Sequence, residues 1–440
     1  MPILCILCAA PAAHAKKRTT VNSELRRLAN EGSVAPEFAA GYRATYRDAR
    51  RYVRKLDGAR KNELGGVVRD LEDMAARHQF TPSRLPALFL TLERNIEWWS
   101  REPLLRSGAR VSFPGSRIVY QLYPGHGLQI QWLGTFGRLN ALWKKRGRRA
   151  KRQTGALLDE VLPLASERAG GLAWEYLFPF DGQRPPWVSS LAQGTGLQAI
   201  ARAATEQDRQ ADVFPIALRG LAMFQTSPPE GVRIPDGDGA HYLQYSGLPD
   251  LKILNGFIQS LVGLYDFAAL TGDPTALALF QAGDLAAREE VPTFDTGAWS
   301  LYSRGSITRE SPLGYHTLLR DFLSRLCERT AAVEYCSAAQ HFTLYLTLPP
   351  EIEVLPRTLR SRRTGKLRFK LSKISSVSIR ITRGRKTVDT INPGTLSRGT
   401  KTVWWRAPKR RGKYGVTVTA TGLAGNVATA EGEVRVKRRP

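Results

Sequence analysis

The stretch LKILNGFIQSLVGLYDFAALTGD, residues 251–273, is apolar around most of its circumference and carries glycines at 256, 263 and 272. A helix without a polar face is buried on both sides. Similar segments precede it. LAQGTGLQAIARAATEQ begins near 191 and YPGHGLQIQWLGTFGRLNAL near 123. Each places a large apolar residue after a glycine: Gly127-Leu128, Gly196-Leu197 and Gly256-Phe257, spaced by 69 and 60 residues. A further helix starts at GYHTLLRDFLSRL, residues 314–326, and second helices such as 211–225 and 274–290 lie between. A repeat of two helices and a loop predicts stacked helical hairpins. About eleven helices are legible, and they predict a mainly α fold, an α/α toroid with the repeated helix inside. The loops before the inner helices would converge on one mouth.

Upstream, 36–56 and 61–78 are amphipathic, with apolar residues three and four apart. After LPPEIEVLP the period changes to two. GKLRFKLSK, SSVSIRITRG, TVWWRAP and the run from 412 to 436 alternate and are rich in Val, Ile and Thr. The expected organisation is a toroid over 16–348, a proline-marked linker over 349–356, and a small basic β-sandwich over 357–440 resembling bacterial immunoglobulin-like modules.

A chain of 440 residues exceeds one ordinary core. No apolar run approaches the roughly 20 residues of a membrane-spanning helix. The start is apolar and then abruptly basic, and Ala13-His14-Ala15 fits a signal-peptidase site. Residues 1–15 are read as a leader and the protein as exported, secreted or held in the cell envelope. Beyond the leader only Cys327 and Cys336 remain. In an exported chain they form a disulfide; otherwise they are two buried thiols.

The net charge is +26, but residues 351–440 hold 23 Lys or Arg and 5 Asp or Glu, a net of +18, leaving +8 for the other 350. The C-terminal piece therefore either attracts an anionic polymer over long range or carries a solvated basic surface. Nucleic acid is disfavoured, since neither zinc-finger spacing nor a nucleic-acid motif is visible.

The sequence contains no G-x-S-x-G, H-E-x-x-H or P-loop, and its six histidines show no paired ligand spacing. A site without metal or cofactor is expected. Tyr302 and Tyr315 flank Arg304 among glycines and serines, and read as loop residues near helix ends.

Four segments then occur in order: PPWVSSLAQGTGLQAIARA (185–203), ILNGFIQSLVGLYDFAALTGD (253–273), FDTGAWSLYSRGS (294–306) and GYHTLLRDFL (314–323). Together they resemble the C-terminal catalytic domain of D-glucuronyl C5-epimerases, over roughly 171–330. The shared patterns are W-x-S-x-x-A-Q-G, L-N-G-F-x-x-S-L-x-G-L-Y-D and D-T-G-x-x-x-x-Y. The resemblance implies an α/α toroid that inverts C5 of a glucuronate within an anionic polysaccharide of the heparosan type. It implies Tyr302 and Tyr315 as the catalytic pair, with His316 beside the second. The chemistry agrees, because one group must remove a weakly acidic C5 proton and another must return one on the opposite face. A phenol, with pKa near 10, suits such a proton once a cation steadies the phenolate. Arg304 either supplies that cation or clamps the substrate carboxylate.

There are two departures from the family pattern, one of which is that Arg304 stands one residue away from the family's arginine after the tyrosine. HYLQYS, residues 241–246, places Tyr245 on a family tyrosine but Gln244 where the family has a catalytic glutamate. An amide is no general base, so Gln244 is read as a hydrogen-bonding substrate contact. Trp187 is read as a sugar-stacking ring, Gln193 as a substrate contact from the A-Q-G motif, and Asn255 as either a helix cap or a sugar contact. Two other functions remain open. A uronate lyase begins with the same proton abstraction, and a non-catalytic polysaccharide- or wall-binding protein needs none.

Overall fold

The computed structural model describes residues 19–145 and 147–438, so the expected leader lies outside the described residues. The chain divides into two compact units. The first runs through Ile130 and includes 176–186; the second comprises Gln131–Glu175 and the chain from Trp187 onward.

The first unit holds α1 (Val21–Asn30), α2 (Pro36–Lys55), α3 (Gly58–Ala76) and α4 (Leu85–Arg101), then an antiparallel sheet of β1 (Arg110–Val111), β2 (Tyr120–Tyr123) and β3 (Gly127–Ile130). Thr20 and Ser23 form a reciprocal cap on α1. Buried Asn95 of α4 ties to β3, donating to the Leu128 carbonyl and accepting from its N–H. This close approach accounts for Gly127. A Cβ there would lie 2.5 Å from Asn95 Oδ1, and its φ of +64° suits glycine. The first member of the apparent helical repeat is therefore a strand, and only the chain from Trp132 continues as helix.

In the second unit, four helical hairpins follow one another: α5 (Trp132–Lys145) with α6 (Arg148–Val161), α7 (Ser190–Glu206) with α8 (Gln210–Leu218) and the short α9 (Ala222–Gln225), α10 (Leu254–Thr271) with α11 (Pro274–Glu290), and α12 (Leu313–Thr330) with α13 (Val333–Tyr345). The apolar helices pack side by side in the order α5, α7, α10, α12, each against its own partner. Glycine sets the closeness of α7 and α10. A Cβ on Gly263 would stand 2.2 Å from the Gly194 carbonyl oxygen, so any larger residue forces the helices apart. Cys327 and Cys336 form a disulfide joining α12 to α13.

The expectation of a mainly helical toroid is corrected. The described residues are 48% helix and 25% strand. Short strands fill the connections that read as loops: β4 (Ser166–Arg168) with β5 (Gly171–Ala173), β6 (Arg233–Asp236) with β7 (Gly239–Tyr242), and a three-stranded sheet of β8 (Leu251–Ile253), β9 (Leu301–Gly305) and β10 (Arg309–Glu310). Two to five residues are too few to display a period. These segments are partly buried, however, and buried backbone needs hydrogen-bond partners, which pairing supplies.

The C-terminal part has two sheets. One orders β11 (Ile352–Leu355), β13 (Thr364–Leu371) and β16 (Gly399–Arg406). The other orders β12 (Arg357–Arg360), β18 (Val427–Lys437), β17 (Gly412–Gly422), β14 (Ser375–Arg383) and β15 (Lys386–Leu396). Their inward residues share one core that includes Phe369, Ile379, Trp405, Tyr414 and Val418. The segment expected as a linker contributes β11, paired with β13. Among the described residues no helix is long and apolar enough to cross a membrane.

Candidate active site

β9 gives Tyr302 its direction. Leu301 and Ser303 point into the protein, so Tyr302 and Arg304 share the opposite, half-buried side of the strand. Tyr315 lies in the first turn of α12 and is 46% exposed. Both residues thus sit in regular structure, not in loops as the sequence suggested. Their rings meet, with centroids 4.8 Å apart and planes at 54°.

β8 runs directly into α10 and brings Asn255 to the same place. Its Nδ2 donates to the Tyr315 carbonyl at 3.0 Å, and its Oδ1 is buried with no hydrogen-bond partner. Asn255 is therefore a clasp between the first turns of α10 and α12. Gln244 lies on that turn of α10; a Cβ on Gly256 would come within 2.5 Å of its Oε1. The segment carrying Gln244 is fixed by backbone bonds. Ser190 N–H donates to Leu243, Ser246 N–H donates to Val188, and Ser246 Oγ accepts from the Val188 N–H. The same bonds set Trp187 edge-on to Tyr245, with centroids 5.6 Å apart. A connected group thus runs from Gln244 through Asn255 to the two tyrosines, beside the Trp187–Tyr245 pair.

Three of the expected site residues are engaged elsewhere. Gln193 spends its amide internally, accepting from Trp174 N–H and donating to the Leu172 and Gly220 carbonyls. His316 is wholly buried. Its Nε2–H donates to the Phe342 carbonyl at 2.8 Å, its Nδ1 accepts from Ser300 Oγ at 2.7 Å, and its ring stacks on Trp299 at 3.7 Å. Burial, aided by the Lys373 and Arg320 charges, pushes its pKa down to about 4, against the raising effect of the Phe342 bond. It is a neutral anchor for the turn bearing Tyr315. The Arg304 guanidinium rests over the Phe294 ring and donates to the Thr293 carbonyl at 3.3 Å. Asp295 fixes its turn, accepting from Gly297 N–H, Tyr345 Oη–H and His341.

A further cluster escaped the sequence reading. Lys252 of β8 faces Arg304 of β9 across the sheet and bonds both Asp236 and Glu290. Burial lowers the Lys252 pKa, but the two carboxylates outweigh it and leave it raised. Glu290 also holds His241 Nδ1 at 2.9 Å, and His241 Nε2 is buried without a partner. Its members come from β6, β7, β8 and α11, so no local spacing announced it. Among the described residues no group of three or more His, Cys, Asp or Glu side chains converges as a metal cluster would.

Residues 170–343 match the family model described as D-glucuronyl C5-epimerase C-terminus. The match covers 174 of the 440 residues, and over that segment the chain is similar to the family. A D-glucuronyl C5-epimerase of Caenorhabditis elegans is 30% identical over 131 residues, 27% of this chain and 21% of that protein. An uncharacterized protein of Methanocaldococcus jannaschii is 25% identical over 208 residues, 43% of this chain and 66% of that one. The chain thus spans about a fifth of the first relative and about two thirds of the second. Among solved structures, a cellobiose 2-epimerase from Bacillus thermoamylovorans aligns with 60% of this chain and 72% of its own, at 10% identity and a TM-score of 0.40. The tyrosine pair, Asn255 and the Trp187–Tyr245 pair all lie within the epimerase segment.

Proposed function

We propose that this protein is a uronate C5-epimerase-like isomerase acting on a glucuronate-containing polysaccharide. The observation that carries the reading is the Tyr302–Tyr315 contact, inside the epimerase segment and at the clasped ends of α10 and α12. One phenolate takes the C5 proton, leaving a carbanion delocalised into the carboxylate; the other phenol returns a proton to the opposite face. Gln244 cannot be the base, so the two phenols carry both transfers. Rings in contact leave no space for a pyranose between them. Opposite-face delivery therefore requires Tyr315, the more exposed, to change rotamer as substrate enters. Arg304, held only by a carbonyl and a ring face, turns to the substrate carboxylate and offsets its growing charge.

The Cys327–Cys336 disulfide supports an extracytoplasmic location, as does the leader-like start. The amide at 244 favours one second reading, a protein that binds the polymer without turning it over. Incubation with heparosan and other uronate polymers in deuterated water, followed by NMR, separates the two. Deuterium at C5 with inversion is expected. Binding without any C5 label would leave only the second reading, and an unsaturated, ultraviolet-absorbing product would replace both with a lyase.

A further inference from the structure

The sheet β11–β13–β16 has an outer face that its fold does not use. Trp405 points into the core and is 3% exposed, so the period of two throws its neighbour Trp404 outward, 60% exposed. Directly across, Lys366 sets its Nζ 5.1 Å from the Trp404 ring centroid. Arg368 and Lys370 continue the outward row along β13, and Arg406 lies two residues from Trp404 on β16. Glu353 opposes them on this face, and it is bonded to Lys370 at 2.8 Å. Among the described residues neither Arg368 nor Arg406 is in an ion pair with a carboxylate. A bare tryptophan among cations contributes little to a core.

We infer that this face is a binding platform for an acidic polysaccharide, with Trp404 stacking on one pyranose face while Lys366, Arg368 and Arg406 take the carboxylates or sulfates around it. An indole ring offers a flat apolar surface to the C–H side of a sugar, and flanking cations add attraction that a neutral glycan would not use. A single aromatic residue argues for a sugar chain over single-stranded nucleic acid, which is held by several rings stacking successive bases. The flat, solvated sheet suits a long polymer passing across it better than a small molecule, which needs a concave pocket. The platform does not depend on the isomerase reading, because it lies on a different part of the chain and carries no proton chemistry.

The test measures binding of the full chain to polygalacturonate, heparosan, neutral dextran and oligodeoxythymidylate, by isothermal calorimetry at several salt concentrations. The two acidic polysaccharides are expected to bind, with affinity falling as salt rises, and dextran is not. Trp404→Ala should weaken acidic-polysaccharide binding by about tenfold while leaving the salt slope unchanged, since it removes a stack and no charge. The double change Lys366→Gln and Arg368→Gln should instead flatten the slope by roughly two charge equivalents. Trp404 is exposed, so thermal melts of the variant should match the native chain. Trp404→Ala binding as tightly as native would overturn the platform, as would oligodeoxythymidylate binding that shows the same Trp404 dependence. C5 exchange on short oligomers is read separately. A chain that binds through Trp404 but never labels C5 sinks only the isomerase reading.

Discussion

In the proposed mechanism Tyr302 and Tyr315 act through their hydroxyls, while their rings pack on each other. Phenylalanine at either position keeps the ring contact and removes only the proton. C5 exchange should then fall at least about a hundredfold, the usual scale for a general acid or base, with an unchanged melting curve. Near-full exchange in either variant would remove that residue from the chemistry. Gln244 tests the opposite case. A glutamate there adds a charge against the first turn of α10, beside the position the proposal gives the substrate carboxylate, so C5 deuterium uptake should fall or stay level. A tenfold rise above a silent native protein would show a disabled site being repaired. At this scale the sequence was partly legible. The tyrosines and Asn255 are tied to motifs, and the structure brings them together. Gln193 and His316 were not, because a buried amide or imidazole looks the same on paper whether it meets a sugar or a carbonyl. What decides is where remote backbone passes, here Leu172, Gly220 and Phe342.

At the scale of elements, α12 is held in place by His316 in its neutral form. The folded-state pKa, about 4, lies below the ordinary 6.5, so the unfolded chain takes up a proton first as pH falls. The stabilisation is complete above about pH 6.5 and is lost as the pH drops towards 4, to a total of roughly 3 kcal/mol. Melting temperatures of the native chain and of His316→Asn, measured from pH 7 to 4, should converge as the pH falls. A constant gap would mean that His316 does not titrate in this window. Long helices were readable because 3.6-residue periods persist over four or more turns. The hairpin strands were not. β9 shows only Leu301 and Ser303 on its inner side, and its pairing with Leu251–Ile253 joins segments fifty residues apart. That is also why the helical repeat was overextended to Gly127, where glycine serves a strand turn beside Asn95.

Across the whole molecule, the change from helical to alternating pattern near residue 350 was legible, but the seam between the two parts was not. Lys373 is 2% exposed and donates to the Tyr345 and Leu348 carbonyls at the end of α13. Its ammonium also sits 5.4 Å from the Trp299 ring centroid, on the ring that stacks against His316. Glu310 accepts from the Ile374 and Arg398 backbone N–H groups. Composition cannot announce such a seam, since one buried lysine is lost among 23 basic residues. Ending the chain at residue 348 leaves these carbonyls and Glu310 without partners, so the truncated protein should melt several degrees lower. Equal melting temperatures would show that the seam adds nothing. Domains on a slack tether meet a shared ligand with an effective concentration that declines smoothly as the tether lengthens. The Lys373–Glu310 seam removes that averaging. If both proposed sites take the polymer, one long enough to reach from Trp404 to the tyrosines gains the full avidity at once and one a sugar too short gains none, so affinity should climb with chain length as a step.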